Sequence, residues 1–312
     1  MENMIVYSII APIFNEQGNI PELFRRVKET METTGETWEL LMVDDGSTDG
    51  SVDAIHELAA QDSHVKPVIF ARNFGHQIAV TAGLDYSTGQ AVVIIDSDLQ
   101  DPPEVILDLI SKWKEGYEVV FAQRTEREGE SWFKLFTASL FYRMIYRITD
   151  VDIPKDTGDF RLLDRKVVDV MKSMRERHRF LRGMSVWVGF KQTGVSYKRA
   201  ARFSGETKYP FKKMVKFASD AITSFSYFPL QLAMYLGFIT AGISIIAIPL
   251  VIILRIVGSH AFLGQATTLI AVLFLGGVQL ISLGILGEYI GRLYDEAKGR
   301  PLYIVREAPT KD

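Results

Sequence analysis

The chain has 312 residues, a formal net charge of −3 and a sequence pI near 6.0. That length allows one sizeable domain plus something smaller, and the mild charge balance implies no general grip on nucleic acid. There is no cysteine, which excludes disulfides, thiolate metal sites and thiol catalysis.

The opening MENMIVYSIIAPIF lacks a basic n-region and carries Glu2, so it reads as a strand rather than a signal peptide. From there to about residue 125, strand and helix patterns alternate. IVYSIIAP, WELLMV, VKPVIF, AVVIID and EVVFAQ read as strands; residues 20–33, 51–60, 77–86 and 104–115 are predicted helices. The apolar runs are continuous rather than alternating, so both sheet faces should be covered, as in a mostly parallel sheet between helices. Repeated units of this kind predict an open, doubly wound α/β fold that binds ligands at the carboxyl ends of its strands.

Polar groups collect at those ends. The first strand leads to Asn15 and Glu16, the second to Asp44, Asp45 and Asp49, the third to Arg72, Asn73 and His76. The fourth runs into DSDLQD. One acidic strand end is explained by helix capping, and DGSTDGS partly suits that role. Four on one edge are harder to explain so. Asp96 and Asp98 flank one residue, and in extended geometry their carboxylates share a side, together with Gln100. Two such carboxylates repel unless a cation lies between them. Hard oxygen ligands without His or Cys suit Mg²⁺ or Mn²⁺, whose shell a diphosphate completes. An aspartyl-phosphate chemistry also places D-x-D at a strand end. Asp101, before Pro102 and Pro103, is expected to cap the next helix. His56, His64, His178 and His260 have no ligand partners at useful spacing; His76 is either structural or a donor contact. The P-loop and G-x-G-x-x-G patterns are absent.

Two segments suit helices lying in a headgroup plane, Ser131 to Ile148 and Phe211 to Phe228, the first equally an ordinary core helix with a basic face. Arg199, Arg202, Lys208, Lys212, Lys213 and Lys216 form a basic stretch that fits phosphate binding or simple flanking of a membrane span. Mean hydropathy is +0.10, and the excess lies late in the chain. Residues 230–254 and 261–287 carry no charge, and each run exceeds the ~20 residues that cross a bilayer core. They read as a transmembrane hairpin, or else as two buried core helices. Basic residues before the first and after the second span place both ends in the cytoplasm. Glycines along both runs permit close helix packing, including packing in a homo-oligomer. Glu288 and Arg292 are spaced for an ion pair.

IIAPIFNE, LMVDDGSTDGS, ARNFGHQIAVTAGLDYSTGQAVVIIDSDLQDPPE, DTGDFRLLDR, RFLRGMSVWVGF and ARFSGETKY together resemble the inverting family-two glycosyltransferases of the GT-A fold. More narrowly they resemble the polyprenyl-phosphate type, the group of dolichyl-phosphate mannose synthase and the bactoprenol glucosyltransferases. The resemblance covers nearly the whole chain. It implies a Rossmann-like, mostly parallel GT-A sheet, a nucleotide-sugar donor, a divalent metal and a polyprenyl phosphate acceptor in a lipid bilayer, with no nucleic acid. UDP-glucose and undecaprenyl phosphate are the pair it favours. It places Pro12, Asn15 and Glu16 around the base and ribose, and Asp44 and Asp45 on the nucleotide. Asp96, Asp98 and Gln100 fall at the metal and diphosphate, and Arg202 and Lys208 at a phosphate. Asp159 takes the position of a base or acceptor-positioning group, so Asp98 and Asp159 are the expected catalytic pair.

The expected organisation is a catalytic domain over 1–210, a juxtamembrane amphipathic helix over 211–228, two transmembrane helices over 229–294 and a cytoplasmic tail over 295–312. A processive polysaccharide synthase would carry Q-x-x-R-W and more spans, neither of which occurs. An inactive membrane adaptor would not need the intact acidic set.

Overall fold

The computed structural model describes residues 5–125, 154, 157–198, 226, 228–257 and 265–309. These fall into two compact units, one built from residues up to 198 together with 300–309, the other from 226 to 299.

The first unit is an eight-stranded sheet. Four strands are parallel neighbours in the order β3 (Val65–Phe70), β2 (Trp38–Asp44), β1 (Tyr7–Ile13) and β4 (Ala91–Ile94). Beyond β4 come β6 (Thr157–Asp164), antiparallel to it, then β5 (Val119–Arg124) and β7 (Gln192–Tyr197). Helices α1 (Ile20–Glu32), α2 (Ser51–Gln61), α3 (His76–Tyr86), α4 (Ile106–Lys114), α5 (Arg165–Ser173) and α6 (Leu181–Trp187) cover it. Every residue of β1 and β2 is buried, the physical reason their apolar runs do not alternate. On one face Tyr7, Ile9, Ala11 and Ile13 of β1 join Leu23 and Val27 of α1, Ile55 of α2 and Leu109 of α4 in one core. On the other face Ile10 meets α3, where a Cβ on Gly83 would collide with the Ile10 side chain.

The chain steps outward from β1 to β2 and β3, then returns to the other side of β1 for β4. That reversal makes the loops after β1 and β4 the walls of a crevice, where open α/β sheets hold ligands.

The predicted strands and helices occur, with small shifts. The helix expected from Glu104 begins instead as a 3-10 turn, Pro103–Val105, and becomes α4 at Ile106. Asp101 does not cap it: the turn has no side-chain cap, and Asp101 is fully buried, accepting a hydrogen bond from the Tyr197 hydroxyl with Arg124 Nη2 at 3.7 Å. The partner lies 96 residues on, so no local pattern could reveal it. Strands β6 and β7 were not foreseen as strands, nor was β8 (Val305–Glu307), which adds antiparallel to β3. Pro67 sits within β3, as a sheet tolerates only near an edge.

The second unit contains α7 (Phe228–Ile256) and α8 (Gln265–Ala297), both long and apolar enough to cross a membrane. Pro249 lies inside α7, and Arg292 Nε donates to Glu288 at 3.1 Å, the pair expected from their spacing. The segments expected to lie in the headgroup plane fall outside the described residues, apart from Ser226 and Phe228 at the end of the second.

The tight seat of α3 on β1 is testable. Gly83→Ala should destabilise the protein by about 1–3 kcal/mol through overpacking, read as a Tm several degrees lower in detergent melts. Gly18→Ala, where an added Cβ meets nothing, should leave Tm unchanged.

Candidate active site

Asp44 and Asp45 end β2, and their carboxylates do different work. Asp44 is fully buried and accepts from the amides of Gly46 (3.1 Å) and Ser47 (3.0 Å), while its Oδ2 is buried without a hydrogen-bond partner. Asp45 accepts from Asn73 Nδ2 (2.9 Å) and from the amides of Phe74 (2.6 Å) and Gly75 (2.9 Å), so it ties the β2 loop to the β3 loop. Burial pushes its pKa up, against the pull of those amides. Gly46 has φ +71°, and a Cβ there would collide with the backbone of Arg72 and Asn73. Only glycine fits both the angle and the approach.

Pro12 lies in β1 opposite Val43. Asn15 follows with φ 55°, uncommon for a side-chain-bearing residue. It is held by bonds in both directions: its amide donates to Ser47 Oγ (2.9 Å) and its Oδ1 accepts from the Thr48 amide (2.8 Å). The Glu16 amide donates to Ser51 Oγ (3.1 Å), and the Glu16 carboxylate accepts from Asn19 (2.5 Å). The β1 and β2 loops therefore form one bonded wall.

The D-x-D pair departs from the extended geometry expected of it. Strand β4 ends at Ile94, and residues 97–98 form a turn followed by Leu99 at φ 58°. Asp98 Oδ1 accepts from the Gln100 amide at 3.1 Å, so Gln100 is tied to the pair through its backbone. Asp96, Asp98 and Gln100 are half-buried. Asp96 Oδ1 is buried with no hydrogen-bond partner. Burial, with Asp159, Asp101 and Asp98 adding to it against His76, pushes the Asp96 pKa up to about 6. A buried carboxylate oxygen without a donor, beside a second carboxylate, fits a hard divalent cation. Among the described residues no three His, Cys, Asp or Glu side chains gather closely enough to hold a metal by themselves. A two-carboxylate set that leaves the remaining positions to water and phosphate oxygens meets that limit.

Asp159, on β6, is 7% exposed and lies beside Asp96's neighbour His76. It accepts from Arg182 Nε (2.7 Å) and Gln77 Nε2 (3.0 Å), with His76 Nε2 at 3.2 Å. His76 Nε2 is also 3.6 Å from Asp96. Burial alone would raise the Asp159 pKa, but Arg182 and His76 overcome it and hold the carboxyl well below its usual range. Desolvation would lower the His76 pKa; Asp159 and Asp96 raise it instead, to about 9. Gln77 Oε1 accepts from the Leu181 amide (3.0 Å), joining α3 to α6.

Gln77 and Arg182 are the residues that sequence reasoning passed over, and the contact of His76 with Asp159 was not foreseen. His76 was noticed at its strand end, and Arg182 stood inside RFLRGMSVWVGF without a role. Only the topology brings α3, β6 and α6 together. Arg202 and Lys208 lie outside the described residues.

A Rossmann-like, mostly parallel sheet with carboxylates gathered on its switch-point edge is the arrangement of a GT-A glycosyltransferase. Residues 8–171 match the family model Glycosyl transferase family 2, and the chain belongs to that family. Over 308 residues it is 52% identical to the uncharacterised glycosyltransferase YkcC of Bacillus subtilis, covering 99% of this chain and 95% of the relative. Over 301 residues it is 42% identical to the bactoprenol glucosyl transferase of Shigella phage SfII, covering 96% and 97%. Mannosyl-3-phosphoglycerate synthase from Rubrobacter xylanophilus aligns with a TM-score of 0.48 and 16% identity, over 70% of this chain and 72% of that one.

Removing the Arg182 guanidinium leaves Asp159 a buried charge short of a partner. Arg182→Met should cost about 3 kcal/mol or more, measured by denaturant or thermal melts. Adding Asp159→Asn should return part of the loss, because the unpaired charge goes with it.

Proposed function

We propose that this glycosyltransferase moves a hexose from a nucleotide sugar to a polyprenyl phosphate at the cytoplasmic membrane face, inverting the anomeric carbon. One observation carries the reading. The ends of β2 and β4 bring Asp44 and Asp96 to the switch-point edge, each with a buried oxygen that no hydrogen bond satisfies. Identity of 42% over nearly the full length to a bactoprenol glucosyl transferase supports glucose as the sugar and bactoprenol as the lipid, and UDP-glucose and undecaprenyl phosphate are the substrates of this reading.

Pro12, Asn15 and Glu16 line the nucleotide side together with Asp44, and Asp45 fixes the loop that closes it. Asp96 and Asp98, with Gln100 alongside, would hold Mg²⁺ or Mn²⁺. When bound, such an ion neutralises charge on the leaving diphosphate. An oxygen of the acceptor phosphate attacks the anomeric carbon; that C–O bond forms as the bond to the diphosphate breaks, and the nucleoside diphosphate leaves. A lipid monophosphate has a second pKa near 6, so at neutral pH the nucleophile is already ionised. A general base has little to remove, and Asp159, held well below the usual carboxylate range, is a poor one. Its work is to fix His76 and Arg182 as oriented cations where two anions must approach. Arg202 and Lys208 would hold the acceptor phosphate, the role the family resemblance implies for them.

The chain leaves the catalytic unit before α7 and rejoins it at Arg300. A protein that returns to the same folded unit crosses a membrane an even number of times. With basic residues on both flanks, this supports a hairpin with both ends cytoplasmic. The domain limits 1–210, 211–228, 229–294 and 295–312 belong to the same reading.

Purified protein given labelled UDP-glucose, Mg²⁺ and undecaprenyl phosphate should yield a lipid-linked monosaccharide. A polymer would indicate a processive synthase, and no product with any donor an inactive adaptor. At saturating metal, kcat/KM should rise with pH through about 6, the acceptor's second pKa, in wild type and in Asp159→Asn alike. Loss of that ionisation in the variant would make Asp159 the base. Divalent-ion affinity depends on ionised Asp96: the raised pKa favours the protonated form below about 6, so protons compete with metal there. Chelation should therefore lower Tm markedly at pH 7.5 and little at pH 5.

A further inference from the structure

Residues 300–307 cross the first unit as a strap, anchored at three points. The Arg177 guanidinium donates to the Arg300 carbonyl. Tyr303 stacks on Phe70 (centroids 5.2 Å apart, planes at 13°), and its hydroxyl donates to Asp85 Oδ2 at 2.7 Å. Arg175 holds that same carboxylate at 2.9 Å. Beyond Tyr303, β8 pairs with Ile69 and Phe70, and the Ala71 amide donates to the Ile304 carbonyl at 2.9 Å.

These anchors lie at the root of the loop that serves Asp45. Phe70, under the Tyr303 ring, meets Phe74 edge-on at 5.6 Å, and Arg72 lies over the Phe74 ring at 4.1 Å. The Phe74 amide then donates to Asp45. The segment 71–75 is thus bonded at one end to the strap and at the other to the β2 carboxylate. Between these ends its backbone passes close to Gly46, and Ala71, Arg72 and Asn73 are exposed.

We propose that the strap sets the donor-side loop and that Tyr303 is a positioning residue for nucleotide-sugar binding; this rests on the proposed function. Tyr303 touches no reacting atom. It holds Phe70, which with Ala71 fixes where Asn73, Phe74 and Gly75 meet Asp45. Loosening it makes the donor pay the ordering of the loop on binding, while chemistry at saturating donor proceeds as before.

The test uses the full chain in detergent or nanodiscs. In Tyr303→Ala, the donor KM and the Kd for UDP should rise about tenfold, the fraction of the lost aromatic pair and charge-assisted hydrogen bond that is transmitted to the loop. The kcat should stay within about twofold, as for lost uniform binding. Amides of Phe74 and Gly75 should exchange faster while those of β1 and β2 do not. Tyr303→Phe, which keeps the stack and loses the hydroxyl, should fall between wild type and Ala. Unchanged KM and exchange would overturn the proposal, as would faster exchange throughout the sheet. If wild type transfers from no nucleotide sugar, the proposed function fails, and faster exchange confined to Phe74 and Gly75 alone decides for or against the strap.

Discussion

Asp159 carries a negative charge at 7% exposure, and it persists because Arg182, His76 and Gln77 surround it. A lone carboxylate so deep would take up a proton. The partners arrive from two helices, α3 and α6, which the Leu181 amide joins through Gln77. The pair is thus a structural junction and an electrostatic device together. It fixes the start of α3 beside β4, and it leaves a protonated imidazole between two acids, Asp159 and Asp96. The catalytic edge is consequently not one pool of negative charge. It holds anions and cations in fixed order, as suits a site that must admit phosphates.

The rest of the edge follows a related rule: a carboxylate either has both oxygens hydrogen-bonded by the neighbouring loop or keeps one buried oxygen without a hydrogen bond. Asp45 is of the first kind, and it spends its oxygens binding two loops into one wall. Asp44 and Asp96 are of the second kind. Treating D-D and D-x-D as uniform acidic motifs hides this difference, which arises entirely from which neighbouring loop reaches each oxygen.

Strands β1, β2 and β4 were legible because burial on both faces demands unbroken apolar runs, and β3 and β5 because each still carries a short apolar core. Strand β6 was not, since Asp159 and Arg161 interrupt its pattern; both are buried, and Asp159 bonds to Arg182 and Arg161 to Ser185, residues more than twenty positions on. The three residues of β8 are too few for any periodicity. At the candidate site, strand-end position singled out Asp44, Asp45, Asp96 and Asp98, and the structure puts them at or just beyond the ends of β2 and β4. The extended geometry assumed for the last two failed because the strand stops at Ile94 and Leu99 turns left-handed. Asp101 was misread for the same reason in another form: a proline pair suggested a cap, and the decisive partner was Tyr197.

The late position of β8 has a consequence for biosynthesis. Strand β3 emerges early from the ribosome, but its outer neighbour is made only after both apolar helices. At roughly 5–20 residues per second, the roughly 230 residues between Phe70 and Val305 take on the order of 10–50 s. Through that interval the outer edge of β3 has no strand to pair with, the condition under which nascent sheets join wrongly. Lys66 and Pro67 lie on that strand, a charge and a missing amide donor that discourage pairing. They guard the stretch that β8 never covers, and they are present from the start. The strap closes the remaining two residues only after both apolar helices have been made, so the sheet is completed by residues that follow those helices in the chain.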